Sequence, residues 1–381
     1  MVESQRGSTS IRSLTDMTIV DTDSHVTETL EDLIPYVERQ NPGVVRFLEN
    51  AADARRDVYS ATRATAAFSQ TPGPLDGQET GSSDIVNSPV REPSVKIELM
   101  EQFDIDYSIL SPGLNLNLAT VNHDSTAAAI AQAYNSWLTD TFLDVHDGFR
   151  ATAIVAHQKP AKAAEEIDRM ASEDDIVGIQ LPGSGLVPPA GHTWYDPIYE
   201  AAEDHGLPVV MHSGNNGASA VFPIQRQWAE TFLEDHAFTF PVESMWHLIS
   251  LVCQGVPERF PDLEFVLQEC GIEWLPWLMW RLDDHYLQNS QDVPLLRRMP
   301  SEYIKEHFYI TSQPLGHTER NDHLASIVEM AGGEETLLFA MDHPHPDFDT
   351  PEELYNPLCA GLDGDSISQI MGETALELFD I

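Results

Sequence analysis

The chain has 381 residues, with 62 acids against 20 Lys and Arg, a net charge of −42 and four lysines (Lys96, Lys159, Lys162 and Lys305). There is no basic stripe to meet phosphates, which disfavours nucleic acid as a partner, and no apolar run approaches the roughly 18 residues of a membrane span. The acids are spread over the whole chain, and their mutual repulsion opposes a compact state until salt shortens the Debye length to about 3 Å at 1 M, so the composition reads as that of a cytoplasmic protein of a halophile.

The start, "MVESQRGSTSIRSLTD", lacks the apolar core of a signal peptide, and residues 1–16 are expected to be a flexible leader. Residues 17–381 are expected to form one domain. Eight short apolar runs then follow in order: "MTIVD" at 17–21, "YSIL" at 107–110, "ATAIVA" at 151–156, "IVGIQL" at 176–181, "PVVMH" at 208–212, "LEFVLQ" at 263–268, "HFYIT" at 307–311 and "TLLFAMD" at 336–342. They are continuously hydrophobic rather than alternating, as parallel strands buried on both faces are. Helical patterns lie between them. One runs from Ala161, and another from Asp196, with Asp196 as the expected N-cap, proline after it and a stop at Gly206. Strands alternating with helices predict an α/β fold, a (β/α)8 TIM barrel. An open doubly wound sheet is the alternative, but no glycine-rich phosphate loop follows the first strand. Residues 49–93, rich in Ala, Ser, Thr, Gly, Asp and Pro, read as an insertion between strands one and two, either a lid over the barrel mouth or a surface excursion. The three cysteines, Cys253, Cys270 and Cys359, lack the spacing of a zinc site, and their odd number argues against a disulfide framework.

In such a barrel the C-terminal strand ends carry the site. The first strand runs into "DTDSH", and alternation predicts that Asp21, Asp23 and His25 point to one side. His157 follows strand three, His212 ends strand five, Gln268 and Glu269 end strand six, Thr311 ends strand seven and Asp342 ends strand eight. A single strand-end histidine or aspartate is weak evidence. Together, Asp23, His25, His212 and Asp342 can converge on one ion, because strands one and eight are neighbours in a closed barrel. A mixed nitrogen and oxygen set suits zinc, manganese or iron.

"DTDSH", "VMHSG", "GVPERFPDLEFVLQECGIEWLPWLMWRLD" and "FAMDHPHPD" resemble the amidohydrolase superfamily, in its amidohydrolase-related branch that includes aminocarboxymuconate-semialdehyde decarboxylase. The resemblance implies one divalent metal ion, Zn or Mn, on Asp23, His25, His212 and Asp342. It also implies a small-molecule substrate and a homo-oligomer, in many members a dimer. Two positions depart from the pattern. Asp23 stands where many members have histidine, which adds negative charge and favours a hard ion such as Mn²⁺. Glu269, in "ECG", stands where several decarboxylases of the branch have histidine.

Two reactions fit these residues. The first expectation is hydrolysis of an amide, ester or lactone by a metal-activated water, with Asp342 relaying the proton and with Glu269 and His212 assisting. The alternative is non-oxidative decarboxylation of an aromatic or muconate-like acid. Glu269 favours the first, because a carboxylate repels a substrate carboxylate. His157, Arg226 and His343 are the candidate substrate contacts, with His345 close by. Trp274, Trp277 and Trp280 read as packing at the rim or a subunit contact.

Overall fold

A computed structural model describes residues 13–37, 42–53, 88–213, 231–316, 318–345 and 348–381. The expected leader up to residue 12, the centre of the expected insertion at 54–87, and Arg226 lie outside the described residues. Every predicted apolar run contributes a strand: β1 (Val20–His25), β2 (Tyr107–Ser111), β3 (Phe149–Ile154), β4 (Ile176–Pro182), β5 (Val209–His212), β6 (Phe265–Gln268), β7 (Phe308–Thr311) and β8 (Leu337–Leu338). They pair in sequence order, β1 to β8, and every pairing is parallel. Helices cross between them, among them Pro93–Phe103, Asp124–Thr141, Pro160–Met170 and Asp196–Asp204. The expected (β/α)8 barrel is therefore the fold.

The ring closes through single hydrogen bonds rather than a ladder. Thr22 N–H and its hydroxyl donate to Phe339 O (3.1 and 2.7 Å), Asp342 N–H to Asp23 O (2.9 Å) and His25 N–H to His343 O (3.2 Å). This explains two boundary differences. β8 stops after two residues because the chain from Phe339 onward bonds to β1 and to Ile370 O instead of continuing a regular strand. β1 extends to His25 because β2 offers a partner that far, with His25 opposite Ser111. Asp196 is not the N-cap. The 3₁₀ turn Thr193–Tyr195 runs straight into the helix, so Asp196 already has helical angles and instead pairs with Arg259.

Inside the barrel, Val20, Ile109, Val177, Val210, Val266 and Leu338 form an apolar plug, closed by Ala375, Leu378 and Phe379 of the C-terminal segment. Each fully buried side chain of this kind contributes about 1.5–3 kcal/mol. The interior positions nearer the strand ends are polar, and such groups are tolerated only when hydrogen bonded. Here they form a chain. Thr152 Oγ1 donates to Gln180 Oε1 (2.8 Å), Gln180 Nε2 to Gln268 Oε1 (3.2 Å) and Gln268 Nε2 to Thr22 O (2.6 Å). This polar floor ties β3, β4, β6 and β1 together below the strand tips.

Candidate active site

β1 is irregular where its chemistry lies. Its register against β2 shifts between Asp21 and Ser24. A bulge re-aims side chains, and this one separates Asp21 from its neighbours. Asp21 Oδ1 accepts hydrogen bonds from Met341 N–H (2.8 Å) and Asp23 N–H (3.2 Å), so it fastens the β1 tip to the segment leading into Asp342. The expectation that Asp21, Asp23 and His25 share one side is corrected: Asp23 and His25 converge with His212 and Asp342, and Asp21 supports them.

The four converging residues are buried, and their ligand atoms lie within 4.8 Å of one another. His25 Nε2 lies 3.4 Å from Asp23 Oδ1 and 2.9 Å from Asp342 Oδ1, while His212 Nε2 lies 3.3 Å from Asp23 Oδ2. One atom of each is buried without a hydrogen-bond partner: Asp23 Oδ2, His25 Nε2, His212 Nε2 and Asp342 Oδ2. Leaving a buried polar atom unsatisfied costs about 1–3 kcal/mol. Four together at one point is the signature of a missing common partner, and the donor set matches a divalent cation.

The outer atoms of the same side chains are held. His25 Nδ1 lies 2.8 Å from Pro112 O, and His212 Nδ1 lies 2.5 Å from Ser213 O. A carbonyl only accepts, so each Nδ1 carries the hydrogen and each Nε2 presents a lone pair inward. Ser111 Oγ donates to Asp23 Oδ1 (3.2 Å) and sits 3.0 Å from His25 Nδ1. Gly183 helps to place His212: its N–H donates to His212 O (2.6 Å), and a Cβ there would stand 3.0 Å from the His212 carbonyl carbon.

Glu269 and Asp342 both have left-handed backbone angles, φ 51° and 60°. A non-glycine residue there costs about 1–2 kcal/mol. Glu269 N–H donates to Thr311 Oγ1 (3.2 Å), which holds that turn. The Glu269 carboxylate stands 3.5 Å from His212 Nε2 and 3.9 Å from His236 Nε2. His345 Nδ1 is 2.7 Å from Asp342 Oδ1, and its ring lies 4.5 Å from that of His25.

Charge is unevenly balanced. Burial pushes the Asp21 carboxyl up to about 6, against the opposing effect of Lys96. Lys96, on the helix Pro93–Phe103, is itself buried; burial pulls it down to about 8, against the attraction of Asp21, Asp23 and Asp342. Burial also raises Asp342, but His345 and His25 outweigh it and hold this carboxyl well below its usual range. Burial lowers His25. At His212 burial acts the same way, but Asp23 and Asp342 reverse it and the imidazole is raised.

The other candidates are placed less centrally. His157 is buried at the β3 tip, pulled down to about 4 by burial, outside the ligand cluster. His343 is buried with its ring against Phe348 (5.8 Å), while His345 faces Asp342. Of the tryptophans, Trp274 packs and donates to Cys270 O (2.8 Å), whereas Trp277 and Trp280 are exposed. Lys96, Ser111 and His236 also border the site, beyond the residues expected from the sequence. Only Lys96 carried a signal, as a rare lysine within an otherwise apolar helix face.

The family model described as Amidohydrolase matches residues 20–381. The chain is 27% identical over 267 residues, 67% of its length and 77% of the relative's, to gamma-resorcylate decarboxylase of Polaromonas sp.. Among solved structures it superposes on 5-carboxyvanillate decarboxylase from Sphingomonas paucimobilis with a TM-score of 0.69 at 20% identity, covering 96% of this chain and 99% of that one. A dihydroxybenzoic acid decarboxylase from Polaromonas sp., with bound manganese and the inhibitor 2-nitroresorcinol, gives a TM-score of 0.65 at 20% identity, covering 96% and 97%.

Proposed function

Starting from the premise that this chain belongs to the amidohydrolase family and is an enzyme of it, we propose that it is a metal-dependent, non-oxidative decarboxylase of a hydroxylated aromatic acid. The observation that carries the metal requirement is the set of four buried, partnerless ligand atoms on Asp23, His25, His212 and Asp342. The relatives favour one of the two reactions the site could serve. Two relatives are named gamma-resorcylate decarboxylase, which supports the alternative over hydrolysis, the first expectation from sequence.

Asp23, His25, His212 and Asp342 would hold one divalent ion, manganese or zinc. When bound, it supplies a Lewis acid for the substrate carboxylate and the neighbouring hydroxyl. The protein's own part is proton delivery. Decarboxylation replaces a ring carboxylate with hydrogen: one proton reaches the ring carbon, and the carbon–carbon electron pair stays on the ring as CO₂ leaves. Asp342 is the donor. His345 and His25 favour its ionised form at rest, so in each turnover it takes up one proton from solvent and passes it to the ring carbon. His212 and the polar floor orient the site. His157 and His343 are proposed to meet the substrate.

The test is a panel of mono- and dihydroxybenzoates and carboxyvanillates, assayed for CO₂ release in molar KCl with Mn²⁺ and then with excess EDTA. Chelator-sensitive CO₂ release supports the proposal. Turnover of lactones or amides with no acid consumed overturns it.

A further inference from the structure

A cavity of about 230 Å³ opens between the loop after β4 and the helix Phe232–Cys253. Leu186, Val187, Pro189 and the Trp246 indole give it apolar walls, and Glu243 and His247 supply its polar end. None of the four candidate ligands lines it. The two sites are nevertheless adjacent, because Gly183 belongs to the cavity wall and its N–H holds His212 O at 2.6 Å. The two polar side chains are placed differently. His247 is engaged by the loop: its Nδ1 accepts from Ala190 N–H (3.3 Å), and the ring also bonds the Gly183 backbone. Burial pulls its imidazole down to about 4, so it brings no charge. Glu243 is only 3% exposed and accepts from the Ser184 hydroxyl at 2.5 Å. A carboxylate has about four acceptor positions on its two oxygens, which gives Glu243 capacity beyond that bond. At the rim, Trp246 and Val187 are exposed. Apolar walls around a small number of polar groups are the usual make-up of a small-molecule cleft.

Size and charge narrow the occupant. A cavity of about 150 Å³ accepts benzene, and drug-sized ligands take about 300–1,000 Å³, so this one holds a single substituted ring. The indole suits an aromatic ring. The described lining carries no lysine or arginine, and Glu243 repels an anion, so a benzoate is disfavoured. An ammonium group brings three donors and a charge that must be stripped of water, against one acceptor residue. A phenol brings one donor and no charge. We propose that this cavity binds a neutral single-ring phenol, its hydroxyl donating to Glu243 and its ring against Trp246. Under the decarboxylase reading such a phenol is the product of the reaction, and that identification alone rests on the reading.

The probe is resorcinol, equilibrated by dialysis with the metal-free full chain in molar KCl, beside 2,6-dihydroxybenzoate and benzylamine. The expected result is saturable binding of one resorcinol per chain, with the acid and the amine bound more weakly. Glu243→Gln exchanges a charged acceptor for a neutral one and should weaken resorcinol binding by about fivefold. Trp246→Ala, at an exposed position, should weaken it by about 2–10-fold, and circular dichroism checks that each variant remains folded. No saturable binding, or unchanged binding in both variants, overturns the site. Tighter binding of benzylamine or of the acid overturns the phenol assignment. Binding that is lost as the chain self-associates overturns it in favour of a second copy covering the Trp246 rim. No metal and no turnover enter this measurement, so its failure leaves the decarboxylase reading standing, and the CO₂ assay decides that reading separately.

Discussion

Replacing Ser111 by alanine removes one hydroxyl from between the two β1 ligands. Ser111 Oγ–H donates to Asp23 Oδ1 (3.2 Å), and its oxygen stands 3.0 Å from the hydrogen-bearing His25 Nδ1. In the variant His25 keeps Pro112 O at 2.8 Å, while Asp23 Oδ1 loses that donor. Two effects oppose each other. A carboxylate relieved of a donor is more basic and grips a cation more strongly, but it is also free to rotate away from the other ligands. A hydrogen bond to a charged group contributes about 1.5–3 kcal/mol, and loss of a supporting partner typically weakens metal binding by about 10–100-fold, so the loss of orientation is expected to win. The assay is Mn²⁺ affinity by competition dialysis for Ser111→Ala and Ser111→Thr, beside metal-free melting curves. Alanine should weaken binding by about 10-fold or more, and threonine, which keeps the hydroxyl, should restore most of it. Alanine binding as tightly as the unmodified protein would refute the claim that Ser111 aims these ligands.

Asp342→Asn should lower turnover by at least about 10²–10⁴-fold, because an amide relays no proton; unchanged turnover would show that the β8 acid is structural. Raising KCl from low to molar concentration should raise the melting temperature steeply, given the net charge of −42; a flat response would remove the halophilic reading. Asp21 has a folded pKa of about 6 against an ordinary 3.8, so the folded state binds the extra proton, and metal-free stability should fall as pH rises through that window, by at most about 3 kcal/mol. Asp21→Asn should flatten that part of the profile, and a variant with the unmodified slope would assign it elsewhere.

Much of the barrel was legible because buried parallel strands must be continuously apolar, and the eight runs stand out from the helices between them. The candidate ligands were legible because strand tips in this fold point into one mouth. Asp21 was misread because alternation holds only for a regular strand, and the shift between Asp21 and Ser24 depends on β2 and on Met341, which are distant in sequence. Lys96 reaches the site from a helix, where local pattern marks only a face. Glu269 and Asp342 owe their aim to left-handed backbone angles that no local pattern in the sequence marks, and at Glu269 the N–H bond to Thr311 Oγ1 holds the turn. The choice between hydrolysis and decarboxylation was not legible, since both readings use the same candidate ligands and the same Asp342.

The most direct measurement of the central claim is isotopic. Carboxyl-labelled dihydroxybenzoate is incubated with the Mn²⁺-loaded protein in D₂O and molar KCl. The label should leave as CO₂, the phenol product should carry one deuterium on the carbon that lost the carboxylate, and EDTA should stop both. Intact acid and no labelled CO₂ across the hydroxybenzoates and carboxyvanillates, from folded and metal-loaded protein, would contradict the assignment as a decarboxylase.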